Sequence, residues 1–225
     1  MTGTEIINAK EPFRFYTRLH LTELIGLRAS NLTQLVALIK EVPGACIYHH
    51  THRFLQQHQY LSPEPPNDFA YWVSQILNEQ ELGEKLASID TFQYSTIRSL
   101  REKIAATIEQ YLKDNKLAKL RFAGEGAEFH FIKSVSFVLP TDYVVNNLKE
   151  LLIVIKKITI DSIYFHMFES RLRLERMDND FSNWIRNSIG NKELAGEISK
   201  LDPYTYTLDG LRNKLIVMLE KRITI

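Results

Sequence analysis

NLTQLVALIKEVPGACIYHH, residues 31–50, lies over NLKELLIVIKKITIDSIYFH, residues 147–166, in constant register and without a gap. Outward from this match, NDFAYW at 67–72 repeats as NDFSNW at 179–184. Later blocks and the preceding Phe-x-Phe segments match in the same order. Collinear self-similarity of this kind predicts a tandem duplication of one structural unit.

Periodicity predicts the fold class. Apolar residues recur at helical spacing in both blocks, and each run begins at an asparagine suited to capping a helix. We therefore predict a mainly α fold, built by tandem duplication of a multi-helix unit with pseudo-twofold symmetry. Alternation in FHFIKSVSFV, and more weakly in FRFYTRLHL, predicts a short two-stranded β element that joins the repeats. For FRFYTRLHL a helix is the alternative.

The same alignment predicts the domain organisation. A glycine-containing segment separates the two blocks and is the natural boundary between them. We expect the two repeats to pack as one globular unit. The predicted segments are a polar N-terminal tail at 1–10, a helical, histidine-rich repeat one at 11–120, an inter-repeat loop at 121–128 and a helical repeat two at 129–225.

Composition limits the class of protein. The 225 residues are 44% hydrophobic, and 28 basic against 27 acidic residues leave a net charge of +1. So small a charge provides no long-range field, so we predict no nucleic-acid and no membrane partner. Cys46 is the single cysteine, which excludes an internal disulfide and a zinc site built on several thiolates. The N-terminus shows no export signal, so we expect a cytoplasmic protein.

Four of the seven histidines lie within ten residues of repeat one. Helical spacing places His49, His52 and Arg53 on one face, and His50 with His58 on another. Most of this cluster has no counterpart in repeat two, which favours a pocket in repeat one alone. Imidazole and guanidinium groups there would suit a phosphorylated or carboxylated small molecule. If the protein is an enzyme, His52 is the first candidate for a catalytic base.

One histidine is shared by both repeats, as His50 and His166. Glu169 lies one turn from His166, and imidazole with carboxylate suits zinc, iron or manganese. The sequence does not identify a cofactor, but a divalent metal is the candidate. Its candidate ligands are His49 and His52. Neither HExxH nor CxxC spacing occurs, which leaves a structural alternative. In that alternative the shared pair are core histidines bonded to a carbonyl or a tyrosine hydroxyl.

The remaining motifs leave open whether the protein is an enzyme. No G-x-S-x-G elbow, P-loop or dinucleotide fingerprint occurs, and Cys46 lies in an apolar stretch typical of an inert buried thiol. The alternative function is a non-enzymatic protein–protein interaction or regulatory module. It would use the loop 60–72, YLSPEPPNDFAYW, whose prolines and aromatics suit a protein partner.

Several long blocks carry a family resemblance. They are EPFRFYTRLHLTELIGLRASNL, YHHTHRFLQQHQYLSPEPPNDFAYW and FHFIKSVSFVLPT, followed by NDFSNW and LDPYTYTLDGLR. In these blocks the chain resembles a prokaryotic family known as domain of unknown function 5752. The resemblance extends from Glu11 to the C-terminus and implies a self-contained member. It implies no reaction, cofactor or catalytic residue.

Overall fold

The computed structural model describes residues 7–57, 67–170, 178–202 and 205–223, with every side chain in them except those of 53–57 and Phe92. Two strands, β1 (Phe13–Ala29) and β2 (Phe129–Val145), pair in an antiparallel sheet. Between them lie α1 (Leu32–Glu41), α2 (Gly44–Gln57), α3 (Asp68–Tyr71), α4 (Gln80–Ala87) and α5 (Ile97–Asp114). After β2 come α6 (Leu148–Ile155), α7 (Ile160–Tyr164), α8 (Asp180–Trp184), α9 (Lys192–Ser199) and α10 (Leu208–Ile223).

Shorter helical segments extend several of these helices. π-helical turns continue α3, α7 and α8, over Trp72–Ile76, Phe165–Glu169 and Ile185–Ile189 respectively. Two 3₁₀ turns occupy Thr91–Gln93 and Lys116–Leu120. In a π-helical turn the backbone hydrogen bonds span five residues in place of four, and such turns are frequent at functional sites.

The described residues divide into two compact units. Unit 1 contains the residues up to Leu19 and those from Phe137 onward, while unit 2 contains those from His20 to Ser136. Each strand therefore contributes one half to each unit. As a result, the helices of each unit pack on a strand segment that the sequence analysis had assigned to the other repeat.

In unit 2, the beginning of β2 lies in an aromatic core. Phe129 and Phe131 are buried, and the Phe129 ring stacks on Phe69 with 5.1 Å between centroids. The indole Nε1 of Trp72 donates to the carbonyl of Ala127 at 2.8 Å. These contacts fix the start of β2 against α3, because buried aromatic side chains contribute a large apolar area and favourable ring pairs.

In unit 1, the beginning of β1 has the same type of surroundings. Phe13 and Phe15 are buried, and the Phe13 ring lies 5.3 Å from that of Phe181 and 5.6 Å from that of Trp184. The Trp184 Nε1 donates to the carbonyl of Glu11 at 2.7 Å. The start of β1 is thereby fixed against α8.

The predicted fold class is wrong. The structure is mixed α/β, with 59% helix and 18% strand, and does not show a duplicated all-helical unit. Each strand is 17 residues long. The second half of each is largely exposed on both faces, except for its buried last residue, so apolar and polar residues do not alternate regularly there. Pairing between distant segments, which local periodicity does not report, extends the strands. The domain boundaries drawn from the sequence stay a prediction.

No helix in the described part of the chain is both long and apolar enough to cross a membrane. The cytoplasmic location stays a prediction.

Candidate metal and ligand site

His50 connects three elements of unit 2. It lies on α2 and is only 3% exposed. Its Nδ1 lies 2.7 Å from Oδ2 of Asp68, and its Nε2 accepts a 3.0 Å hydrogen bond from the backbone N–H of Ile132. Because a backbone N–H only donates, Nε2 presents its lone pair and the ring proton is on Nδ1, which donates to Asp68. This arrangement, which we call the His50 clasp, joins α2, α3 and β2.

His166 makes an equivalent clasp in unit 1. It lies in the π-helical turn after α7 and is 2% exposed. Its Nδ1 lies 2.7 Å from Oδ2 of Asp180, and its Nε2 accepts from the backbone N–H of Tyr16 at 2.9 Å. The same tautomer follows from the same donor. The partners are thus a carboxylate and an amide, in place of the carbonyl or tyrosine hydroxyl considered from the sequence.

A further histidine lies next to the His50 clasp. His49 is half-buried, with Nδ1 3.1 Å from the Ser134 hydroxyl. One ligand atom each from His49, His50 and Asp68 lie within 4.8 Å of one another. Asp68 is open to solvent, with 48% of its side chain exposed. Imidazole nitrogens and carboxylate oxygens at this spacing could hold a metal ion.

The hydrogen bonds of His50 decide which members of the group suit a metal. An ion on Nε2 would displace the Ile132 N–H from the lone pair. An ion on Nδ1 would move the proton to Nε2, where it would face that same N–H donor. Asp68, by contrast, has two oxygens and keeps unused lone pairs. His49 and Asp68 are therefore the better ligands, while His50 orients the Asp68 carboxylate through the hydrogen bond from its Nδ1.

His52, the first catalytic candidate from the sequence, lies in different surroundings. It is 2% exposed, and its ring stacks on Tyr48 with 5.4 Å between centroids. Its Nδ1 lies 2.8 Å from the Thr51 hydroxyl, which donates to the carbonyl of Ile47. The sequence predicted His49 and His52 as joint metal ligands, but the metal-compatible group contains Asp68 and not His52.

Glu169 was expected to orient His166 or to bind a cation. It is 4% exposed and forms an ion pair with Arg18 of β1. The carboxylate on His166 is that of Asp180. A buried carboxylate is stabilised when a guanidinium lies against it, which accounts for the position of Glu169.

The other predicted contacts are described in part or not at all. Arg53 lies on α2, and its side chain is among those the structure does not describe. His58 and loop residues 60–66 lie outside the described residues. Of the predicted loop 60–72, residues 68–71 form α3 and Trp72 begins its π-helical turn. Tyr71 is 49% exposed, whereas Trp72 is 5% exposed and belongs to the core.

Asp68 and Asp180 are the site residues that sequence reasoning missed. They follow Asn67 and Asn179 in the repeated NDF motif, and Asn67 caps α3 by accepting from the N–H of Ala70 at 2.8 Å. The usable signal was the recurrence of an aspartate after Asn67 and after Asn179, following the blocks that end at His50 and His166.

Cys46 has no sign of activation. Burial raises the pKa of its thiol, and this effect exceeds the lowering by Lys133 and Arg101. A thiol with a raised pKa is mostly protonated near neutral pH, and the thiolate is the nucleophile. The structure therefore agrees with an inert buried cysteine.

Comparison with protein families decides the classification. The model of a family of unknown function, DUF5752, matches residues 10–220. The chain belongs to this family. Among solved structures, this DUF5752 member is similar to OrfY from Thermoproteus tenax, with 28% sequence identity and a TM-score of 0.82. The similarity covers 97% of this chain and 98% of OrfY. A comparison with curated proteins found no match.

Proposed function

We propose that unit 2 binds a divalent transition-metal ion through His49 and Asp68, with His50 orienting the Asp68 carboxylate. The observation that supports this function is the 4.8 Å grouping of their ligand atoms beside a carboxylate that is half exposed. An imidazole and a carboxylate together suit zinc, manganese or iron. The site therefore has the chemistry of a small open metal centre.

Only modest movement would be needed to form it. Zinc lies about 2.0 to 2.2 Å from imidazole nitrogen and carboxylate oxygen, so two ligand atoms on one ion are roughly 3 to 3.5 Å apart. A shift of the half-exposed Asp68 side chain can supply the difference. Because two protein ligands leave open coordination positions, a carboxylate or phosphate of a polar small ligand could complete the shell.

Unit 1 provides an internal reference. The His166 clasp has the same bonds but carries Phe165 where unit 2 carries His49. The bonds of a clasp by themselves therefore attach a strand to the neighbouring helices, and they require no metal. The addition of His49 to an exposed carboxylate is what favours metal binding in unit 2.

The test is calorimetric titration of untagged protein with Zn²⁺ and with Mn²⁺. The variants are His49→Phe, which copies the unit 1 side chain, and Asp68→Asn, with Asp180→Asn as the matched control. We expect about one ion per wild-type chain, and loss of affinity by more than roughly tenfold in the two unit 2 variants. Asp180→Asn should bind as wild type does.

Two results would contradict the proposal. One is the absence of saturable binding of either ion to the wild-type protein. The other is an equal loss in Asp180→Asn and Asp68→Asn, because this would trace the effect to general destabilisation. Thermal unfolding of every variant without metal identifies that second case.

A further inference from the structure

An apolar protrusion follows α5 in unit 2. It consists of the 3₁₀ turn Lys116–Leu120 and the next two residues, and we call it the 116–122 protrusion. Leu117 is 78% exposed, Leu120 is 72% exposed and Phe122 is 61% exposed. Residues three apart in a 3₁₀ helix lie on the same side, so Leu117 and Leu120 project together. Large apolar side chains this exposed in neighbouring positions indicate an interaction surface.

The base of the protrusion is anchored. Ala118 faces inward at 4% exposure, and its N–H donates to the carbonyl of Asn115 at 3.1 Å. Beyond the turn, the N–H of Ala123 donates to the carbonyl of Ser30 at 2.7 Å. The apolar side chains are therefore presented by a formed backbone and need no rearrangement to become exposed.

A buried carboxylate holds the same segment from the side. Glu79 is 7% exposed and accepts a 2.6 Å hydrogen bond from the Tyr111 hydroxyl. Its other oxygen lies 2.8 Å from Nε of Arg121. Arg121 is thereby fixed between the two exposed apolar positions on either side of it, Leu120 and Phe122.

The surroundings of the protrusion are cationic. Lys113, Lys116 and Lys119 are exposed, and none of them forms an ion pair with any residue that the structure describes. The carboxylate of Asp114 accepts from the Gln110 side chain at 3.0 Å. Three lysines without an ion pair thus lie beside three exposed apolar anchors, and Asp114 is the single acid of residues 113–122.

We propose that the 116–122 protrusion docks on an anionic lipid surface, with Leu117, Leu120 and Phe122 inserted at the headgroup level and the lysines on the lipid phosphates. Apolar anchors beside lysines are the combination that binds anionic bilayer interfaces. The anchors expose roughly 400 Å², about half of the roughly 800 Å² per partner that a standard protein interface buries. This area is small for a second copy of the chain but sufficient for peripheral insertion.

The proposal differs from the expectation drawn from composition. The net charge of +1 averages over the chain and does not report the local excess of Lys113, Lys116 and Lys119 over the single acid Asp114 at the end of α5. Peripheral docking also needs no helix that crosses the bilayer. The local arrangement therefore points to a membrane partner where the overall charge did not.

The experiment is co-sedimentation of the full chain with phosphatidylcholine vesicles, with and without a fraction of phosphatidylglycerol. Leu117→Gln/Leu120→Gln removes two anchors, and Leu24→Gln is the matched control because Leu24 is 62% exposed elsewhere in unit 2. Lys116→Gln/Lys119→Gln removes two charges, with exposed Lys103→Gln on α5 as its control.

We expect wild type to sediment with the anionic vesicles alone, and less so when salt is raised from about 0.1 M to about 0.5 M. The lysine pair should weaken partition by roughly thirtyfold, as two surface lysines do, and the leucine pair by more than about tenfold. Both controls should sediment as wild type does.

Wild type that stays in the supernatant with both vesicles overturns the proposal. So does partition that the two double variants leave unchanged. Self-association of the wild type that Leu117→Gln/Leu120→Gln abolishes, without any vesicle binding, would assign the surface to a second copy of the chain and overturn the lipid proposal as well.

Discussion

The His50 clasp of unit 2 and the His166 clasp of unit 1 have the same bonds in different surroundings. Both histidines are nearly fully buried, donate from Nδ1 to an aspartate at 2.7 Å and accept a strand N–H at Nε2. Asp68, however, is 48% exposed and Asp180 is 15% exposed. The shared part of the arrangement is structural, and any function must come from what differs.

The side chains around the two clasps differ in polarity. Unit 1 places the apolar Phe165 and the ion pair of Arg18 with Glu169 around its clasp. Unit 2 places the polar His49 and Ser134 there. One site is thereby closed with apolar and internally neutralised groups, while the other keeps polar atoms beside an accessible carboxylate. The predictions below separate the common clasp from these additions.

Removal of the clasp histidine should have the largest effect. His50→Ala and His166→Ala each leave a strand N–H and an aspartate without their partner and open a cavity. We expect each to lower the free energy of unfolding by about 3 to 5 kcal/mol. Urea denaturation checks both, and His49→Ala should cost less than about 1 kcal/mol. If the losses in free energy of unfolding for His50→Ala and His166→Ala differ by more than about 2 kcal/mol, the two clasps are not equivalent in stability.

The next effect concerns the ion pair of Arg18 with Glu169 in unit 1. Glu169→Leu leaves Arg18 against a buried surface without its carboxylate, and should cost about 2 to 4 kcal/mol. Arg18→Met/Glu169→Leu replaces both partners by apolar groups and should recover most of that loss. Denaturation midpoints of the single and double variants measure the recovery. A double variant less stable than Glu169→Leu would show that Arg18 is stabilised mainly by other groups.

The two aspartates should differ in proportion to their exposure. In Asp180→Asn and Asp68→Asn the amide oxygen can still accept from the histidine, so only the charge-assisted part of the bond is lost. We expect about 1 to 2 kcal/mol for Asp180→Asn and less than about 1 kcal/mol for the more exposed Asp68→Asn. Thermal unfolding of the metal-free variants checks the order. The reverse order would mean that exposure does not control the strength of the clasp.

The smallest effect is a pH dependence of stability, which comes from the hydrogen bond between Tyr111 of α5 and Glu79 at the start of α4. Unit 2 has Glu79 there, bonded to Tyr111, whereas Asn191 starts α9 in unit 1 and caps it. Burial, with the hydrogen bond to Glu79, raises the pKa of Tyr111 to about 12. Because the folded pKa exceeds the unfolded one of about 10, the stabilisation is full below pH 10 and is lost as the pH rises toward 12.

Tyr111→Phe should therefore cost about 1 kcal/mol at neutral pH and flatten the alkaline loss of stability. Unfolding midpoints between pH 9 and 12, together with ultraviolet titration of tyrosinate, measure it. If wild type and variant lose stability in parallel over this range, Tyr111 is not the titrating group.

The sequence predicted the helical runs better than the class of fold. Asn31 and Asn147 cap α1 and α6 as their positions suggest, because capping is a local effect of one side chain on the next turn. The length of β1 and β2 could not be predicted in this way. Their outer halves carry exposed apolar residues on both faces, and the pairing that extends them joins segments more than a hundred residues apart.

The site was predictable to a similar extent. Helical spacing brought His49 and His50 into consideration, but it could not show that His52 packs against Tyr48. Nor could it connect Asp68 to His50 across eighteen residues, because the sequence between them does not continue the helical period as far as Asp68. Tertiary contacts determine these partners, and local pattern reports only which side chains share a helix face.

The most direct test of the central claim is nitrogen-detected NMR of the histidine rings before and after one equivalent of Zn²⁺. We predict that His50 and His166 both start with the proton on Nδ1, that zinc shifts a ring nitrogen of His49, and that both clasps keep their tautomer. A zinc-induced change of tautomer at His50 or His166, or no change at His49, would contradict the account.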